Sequence, residues 1–206
     1  MANYELLHAR GKEIVQAAPQ AYFDVDVEAD GVAGYGSLLS VGAVSPWGET
    51  YYSELKPSSE RFIKSNRAFC EAHNLERERL MDEGQDPNKV MRELTEWVGD
   101  ITETYDKNRA VFAAFNASFD FPWVDLAMRE AEIKNPFGIA GYCIKSLANQ
   151  LTQEYDWRKT AKGNLPADII PEGDFTHNAL EDAIYQQKIH NALVGKLRMG
   201  METGVL

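Results

Sequence analysis

At 206 residues, with 44% apolar and 11% aromatic content, the chain is long enough to bury a substantial core and has the composition of a folded protein. No apolar run approaches the ~20 residues of a membrane span, the acidic, polar N-terminal stretch lacks a signal-peptide pattern, and Cys70 and Cys143 are too few for a disulfide framework or a zinc site. A cytoplasmic protein with reduced thiols is expected, and a net charge of −11 argues against one that tracks long nucleic-acid duplexes through a basic groove.

In chain order, residues 4–18 read as a helix that stops at Pro19. A strand over 21–28 follows, and it is the most informative segment. In Tyr22-Phe23-Asp24-Val25-Asp26-Val27-Glu28, alternation sends Phe23, Val25 and Val27 toward a core and sets Asp24, Asp26 and Glu28 along the opposite face. Carboxylates ~7 Å apart on one strand face repel and resist desolvation, an arrangement that usually requires a cation. Hard divalent ions such as Mg²⁺ and Mn²⁺ take such oxygen ligands. Strands at about 37–45 and 49–55, separated by the Pro46-Trp47-Gly48 turn, extend this into a meander. Residues 58–85 are mixed and charged.

Pro87 opens a helix to about 104, in which Val90, Leu94, Trp97, Val98 and Ile101 keep helical spacing. A strand at 110–115 runs into the polar turn Asn116-Ala117-Ser118 and a helix near 119–131, with Asp120 at its start. Residues 140–144 read as a fifth strand before a short helix to about 153. The segment 154–176, with Gly163, Pro166, Pro171 and Gly173, is long enough to be functional rather than a mere connection. A last helix from about 178 to 197 carries Asp182 near its start. His177 precedes Asp182 by five residues, about 1.4 turns within a helix, so the two share a site only if His177 lies at or before the first turn.

Three of these segments together resemble the DEDDh branch of the 3′–5′ exonuclease superfamily. That group includes the proofreading subunit of bacterial replicative DNA polymerase, RNase T and oligoribonuclease. Its first motif, D-x-E with a glycine three residues on, is matched by Asp26, Glu28 and Gly31. Its second, an asparagine, a spacer and an aromatic-Asp pair, is matched by Asn116, Phe119 and Asp120. Its third, H-x-A-x-x-D-A, is matched by His177, Ala179, Asp182 and Ala183. Phe115 stands where relatives often have histidine. Gly31 and the strand from Leu38 to Val44 fit the pattern with Asp26 and Glu28 as ligands, which leaves Asp24 as an extra carboxylate, hydrogen-bonded or facing water.

The resemblance implies an α/β, ribonuclease H-like fold, a mixed five-stranded sheet flanked by helices, in a single exonuclease domain over 1–206 with its core at about 20–200. It implies two Mg²⁺ or Mn²⁺ ions held by Asp26, Glu28, Asp120 and Asp182, with His177 as general base. The expected partners are short single-stranded DNA or RNA 3′ ends and no membrane, and relatives include both monomers and dimers, so a homodimer is compatible. Asn116 and Phe119 are candidate substrate contacts. Arg158, Lys159 and Lys162 are candidate phosphate contacts, as are Arg61, Lys64 and Arg67, although each also reads as an ordinary solvated cation. His8, His73 and His190 lie outside the motifs and are expected to be solvated or satisfied within the fold. Rival readings are a non-catalytic binding module on the same fold, whose signature would be a lost acid or histidine, and a metal-dependent phosphatase.

Overall fold

The structure is a computed structural model that describes residues 2–173 and 176–204. Helix α1 (Ala2–Ala17) leads into strand β1 (Ala21–Ala29), followed by β2 (Leu38–Val44) and β3 (Thr50–Glu54). Helices α2 (Lys64–Glu71), α3 (Arg77–Glu83) and α4 (Pro87–Thr104) precede β4 (Ala110–Ala114) and α5 (Ala117–Glu130). The chain closes with β5 (Tyr142–Cys143), α6 (Ile144–Thr152), a 3₁₀ turn (Lys162–Asn164) and α7 (Ala179–Thr203). The strands form one mixed five-stranded sheet in the order β3-β2-β1-β4-β5. β1, β2 and β3 run antiparallel as a meander, and β4 and β5 lie parallel to β1.

The alternation of β1 is realised on the two faces of the sheet. Phe23, Val25 and Val27 join Val90, Met91, Leu94 and Val98 of α4 and Phe121, Trp123 and Val124 of α5 in the larger core. Pro87 occupies the first turn of α4, and the Asp86 carboxylate caps that helix by accepting from the Lys89 N–H at 3.0 Å. The opposite face is covered by α7, with α1 packed on α7, and a second core there joins Tyr4, Leu7, Ala113, Ile144, Ile189 and Leu193. Close approach of α1 and α7 depends on Gly11, where an added Cβ would lie 1.7 Å from the Asn191 carbonyl oxygen.

Two elements differ from expectation. The charged segment 58–85 contains α2 and α3, two short helices. Neither has a side-chain cap at its first position, held by Ile63 and Glu76, so the usual start signal is missing from the sequence. Instead the segment is anchored from outside. The buried Asp30 carboxylate at the end of β1 receives the Arg77 guanidinium and the Ser37 N–H, the latter at 2.6 Å. The last helix also continues to Thr203, past the expected stop near 197.

Cys70 and Cys143 are free thiols. Among the described residues no helix is long and apolar enough to cross a membrane.

Candidate active site

The site lies where β1 and β4 part. The two strands pair from Ala21 with Ala110 to Asp24 with Ala113. Beyond that point their facing backbone groups lose each other and must be satisfied by side chains. The buried Gln186 amide of α7 does this for both strands, donating to the Val25 carbonyl at 2.8 Å and accepting from the Phe115 N–H at 3.0 Å. The Asp120 carboxylate accepts from the Val27 N–H at 3.3 Å. The gap is a cavity of about 490 Å³ lined by Asp26, Glu28, Phe115, Asn116, Phe119, Asp120, Lys162, Gly163, His177 and Asp182, together with Val27.

Local structure explains how each group arrives there. Asn116, between β4 and α5, lies in the left-handed region at φ 86°, a conformation that asparagine tolerates better than most residues. Its carbonyl accepts the Phe119 N–H at 2.8 Å, so the chain turns at once into α5 and sets Asp120 in the first turn. Asn178 caps α7 by accepting from the Leu180 and Glu181 N–H groups at 3.0 and 3.2 Å. His177 stands outside that helix at φ 57°, while Asp182 in the first turn accepts the Thr176 N–H at 3.2 Å. This placement removes the conflict of a five-residue spacing. Gly42 brings the start of α7 onto the sheet: it is the register partner of Asp26, and a Cβ there would lie 2.2 Å from the backbone of Ala179 and Leu180.

The electrostatics are those of crowded acids. Burial, reinforced by Asp26 and Asp182, pushes the Glu28 carboxyl up to about 8. Burial raises Asp26 to about 6 even though the Lys162 ammonium lies 3.3 Å from it. Asp120 is pushed well up by burial and by Asp26, and Asp182 is raised by burial. Donor atoms of Glu28, His177 and Asp182 all fall within 4.8 Å of one another. Oxygen donors held this close, and reluctant to ionise for want of a counter-charge, fit a hard divalent cation.

The candidates from sequence divide. Asp26, Glu28, Asn116, Phe119, Asp120, Lys162, His177 and Asp182 converge on the cavity. Arg158 and Lys159 do not line it: Arg158 is exposed, and Lys159 borders a separate hollow with Glu154, Thr160 and Asn164. Arg61, Lys64 and Arg67 do not line it either, and Arg67 pairs with Glu71 and Glu78 at 2.6 and 2.9 Å. Asp24 is fully buried, with its carboxylate 3.3 Å from Nδ1 of the equally buried His190. His8 stacks on Tyr4.

His73 has a nearer place than its lack of a motif suggested. Its ring lies 4.4 Å from that of His177 and 4.4 Å from that of Phe69, so the wall behind His177 is made by Phe69 of α2 and by His73 in the turn just after that helix. The chain turns just past α2, with the His73 N–H on the Cys70 carbonyl at 3.0 Å, and nothing local in the sequence signals what that turn meets. Burial and the neighbouring His73 ring hold His177 below the ordinary histidine value.

Comparison with known proteins places this geometry. The family model for the 3′-5′ exoribonuclease Rv2179c-like domain matches residues 21–194. The chain is 34% identical to the 3′-5′ DNA exonuclease Cap18 of Escherichia coli over 181 residues, covering 86% of this chain and 93% of that protein. Among solved structures, the nuclease domain of 3′hExo, a DEDDh family member, bound to rAMP, aligns with a TM-score of 0.62 at 11% identity, covering 87% of this chain and 92% of that one. The RNase domain of the yeast Pop2 protein aligns at 0.55 and 11% identity, covering 97% and 84%. These structural likenesses show a shared fold. The family match from the first strand into the last helix, with a relative matched over nearly its whole length, makes the chain a member of the Rv2179c-like 3′-5′ exoribonuclease domain family and a 3′-5′ exonuclease.

Proposed function

We propose that the cavity receives the 3′-terminal nucleotide of a single strand and hydrolyses its phosphodiester bond with two divalent cations, Mg²⁺ or Mn²⁺. Asp26, Glu28, Asp120 and Asp182 would hold the ions. Ions bound there would supply Lewis-acid polarisation of the phosphate and a counter-charge for the departing 3′ oxygen. His177 takes the proton from the attacking water, a role suited to an imidazole whose burial disfavours its charged form. Asn116 and Phe119 border the cavity on the β4–α5 side and contact the terminal nucleoside, while Lys162 approaches its phosphate. The observation that carries this reading is the convergence of Glu28, His177 and Asp182 donor atoms within 4.8 Å.

The family description names RNA and the E. coli relative is named for DNA. The reading admits both sugars, so the test compares them. Purified protein with Mg²⁺ or Mn²⁺ is given 5′-labelled single-stranded DNA and RNA, with free and 3′-phosphorylated ends. Stepwise shortening from the free 3′ end, stopped by chelation, is the expected result. Cleavage of a circular single strand, or removal of the 3′-phosphate alone, would overturn it, the latter in favour of a phosphatase.

A further inference from the structure

We propose that the segment 154–162, between α6 and α7, is the track for the body of the substrate: a single-stranded nucleic acid whose bases stack on Tyr155 and Trp157 and whose phosphates meet Lys145, Arg158, Lys159 and Lys162. The proposal rests on the exonuclease reading of the cavity and extends it to nucleotides upstream of the 3′ end.

Tyr155 is 78% exposed and Trp157 45% exposed, two large aromatics two residues apart. Water is a poor environment for such surface, and a π-face left open beside cations is what a nucleobase stacks on without sequence preference. The segment is built rather than loose. The Asn149 side-chain amide of α6 donates to the Glu154 carbonyl and to Thr160 Oγ1, the latter at 3.1 Å, and Thr160 is buried.

The two acids of the segment serve its own backbone. Glu154 accepts the Asp156 N–H at 2.9 Å, and Asp156 accepts the Arg158 N–H at 3.0 Å. Arg158 and Lys159 are exposed, and among the described residues neither joins an ion pair. Lys145 sits over one face of the Trp157 ring, its ammonium 4.3 Å from the centroid. Four cations with two aromatics form an unusual patch on a chain of net charge −11.

The track is continuous with the site. Successive turns, with Thr160 N–H on the Asp156 carbonyl at 3.2 Å and Asn164 N–H on the Ala161 carbonyl at 2.9 Å, deliver Lys162 and Gly163 to the cavity wall. There Lys162 lies 3.3 Å from Asp26. Along these nine residues the two exposed aromatics come first, at the solvent end, and the cations Arg158, Lys159 and Lys162 follow toward the carboxylates.

The test is a length series. Steady-state KM and kcat are measured with Mn²⁺ on oligo(dT) and oligo(U) of two to twelve nucleotides, for wild type and for Tyr155→Ala/Trp157→Ala. Wild-type KM should fall about tenfold or more between two and six nucleotides, as each stacked base adds affinity. The double variant should lose that gain, so that its deficit is about tenfold greater on six nucleotides than on two, while Trp157→Phe, which keeps a stacking face, retains the gain. Arg158→Ala/Lys159→Ala should flatten the salt dependence of KM on the longer substrates. A double variant with wild-type length dependence would overturn the track. Wild type that hydrolyses every length with equal KM overturns it too and leaves the exonuclease reading standing, whereas wild type inactive at every 3′ end sinks that reading instead.

Discussion

Metal uptake by this site should release protons, in a number that follows from the carboxyl group values. With Glu28 at about 8 and Asp26 at about 6 in the metal-free protein, ~0.9 of a proton sits on Glu28 and ~0.1 on Asp26 at pH 7. Loading the site ionises both, so about one proton leaves, to which Asp120, also pushed well up, adds. Near pH 9 the contribution of Glu28 and Asp26 together drops to ~0.1. The assay is titration calorimetry with Mn²⁺ in buffers of low and high ionisation enthalpy, where the slope of the observed heat against buffer enthalpy counts protons. Glu28→Gln should lower the count at pH 7 by ~0.9. A slope of zero at pH 7 in the wild type would show that the acids are already ionised, and the reasoning from burial and mutual repulsion would fail.

The same groups set a pH dependence of stability. Their folded values lie above the unfolded ones, so the metal-free protein is favoured at low pH and loses that contribution as pH rises through about 6 and then about 8. Its Tm should fall between about pH 5 and 8, and saturating Mn²⁺ should reverse the fall; a metal-free Tm that climbs across that window would refute the assignment. Asp182→Ala should abolish exonuclease activity while the metal-free Tm holds or rises, since like charges are relieved, as thermal melts and a gel assay would show. His177→Ala should lower turnover by roughly 10²- to 10⁴-fold with Mn²⁺ affinity nearly unchanged, and its pH–rate limb in the neutral range should flatten. Asp24→Asn, which acts on the pair with His190 rather than on the cavity, should change kcat by less than about tenfold, read with saturating metal.

The site was legible in the sequence to the extent that its chemistry is local. D-x-E on one strand, the Asn–Phe–Asp turn and the His–Asp helix start each keep their residues within a few positions, and periodicity places them on elements. What could not be read is what crosses the chain. Lys162 reaches Asp26 over 136 residues and His190 reaches Asp24 over 166, and no spacing rule encodes either meeting. Asp24 shows the cost: alternation along β1 assigns it the same face as Asp26, yet α7 covers one and leaves the other open to the cavity. Helices α2 and α3 were illegible for a different reason, since their ends are fixed by the distant Asp30 and not by caps. Gly42 was visible only as a weak strand residue, and its purpose depends on a helix more than 130 positions later.

The Gln186 amide has a consequence for how the site is held together. One side chain from the helix of Asp182 holds the strand of Asp26 and the strand that leads to Asp120. The backbone segments that carry Asp26, Asp120 and Asp182 are therefore tied to one another by buried hydrogen bonds. His177 lies outside this frame: it stands in front of the helix, against the rings of Phe69 on α2 and of His73 just beyond it. The frame that spaces the acids is thus built by the sheet and α7, while the position of His177 depends on packing against a different part of the chain.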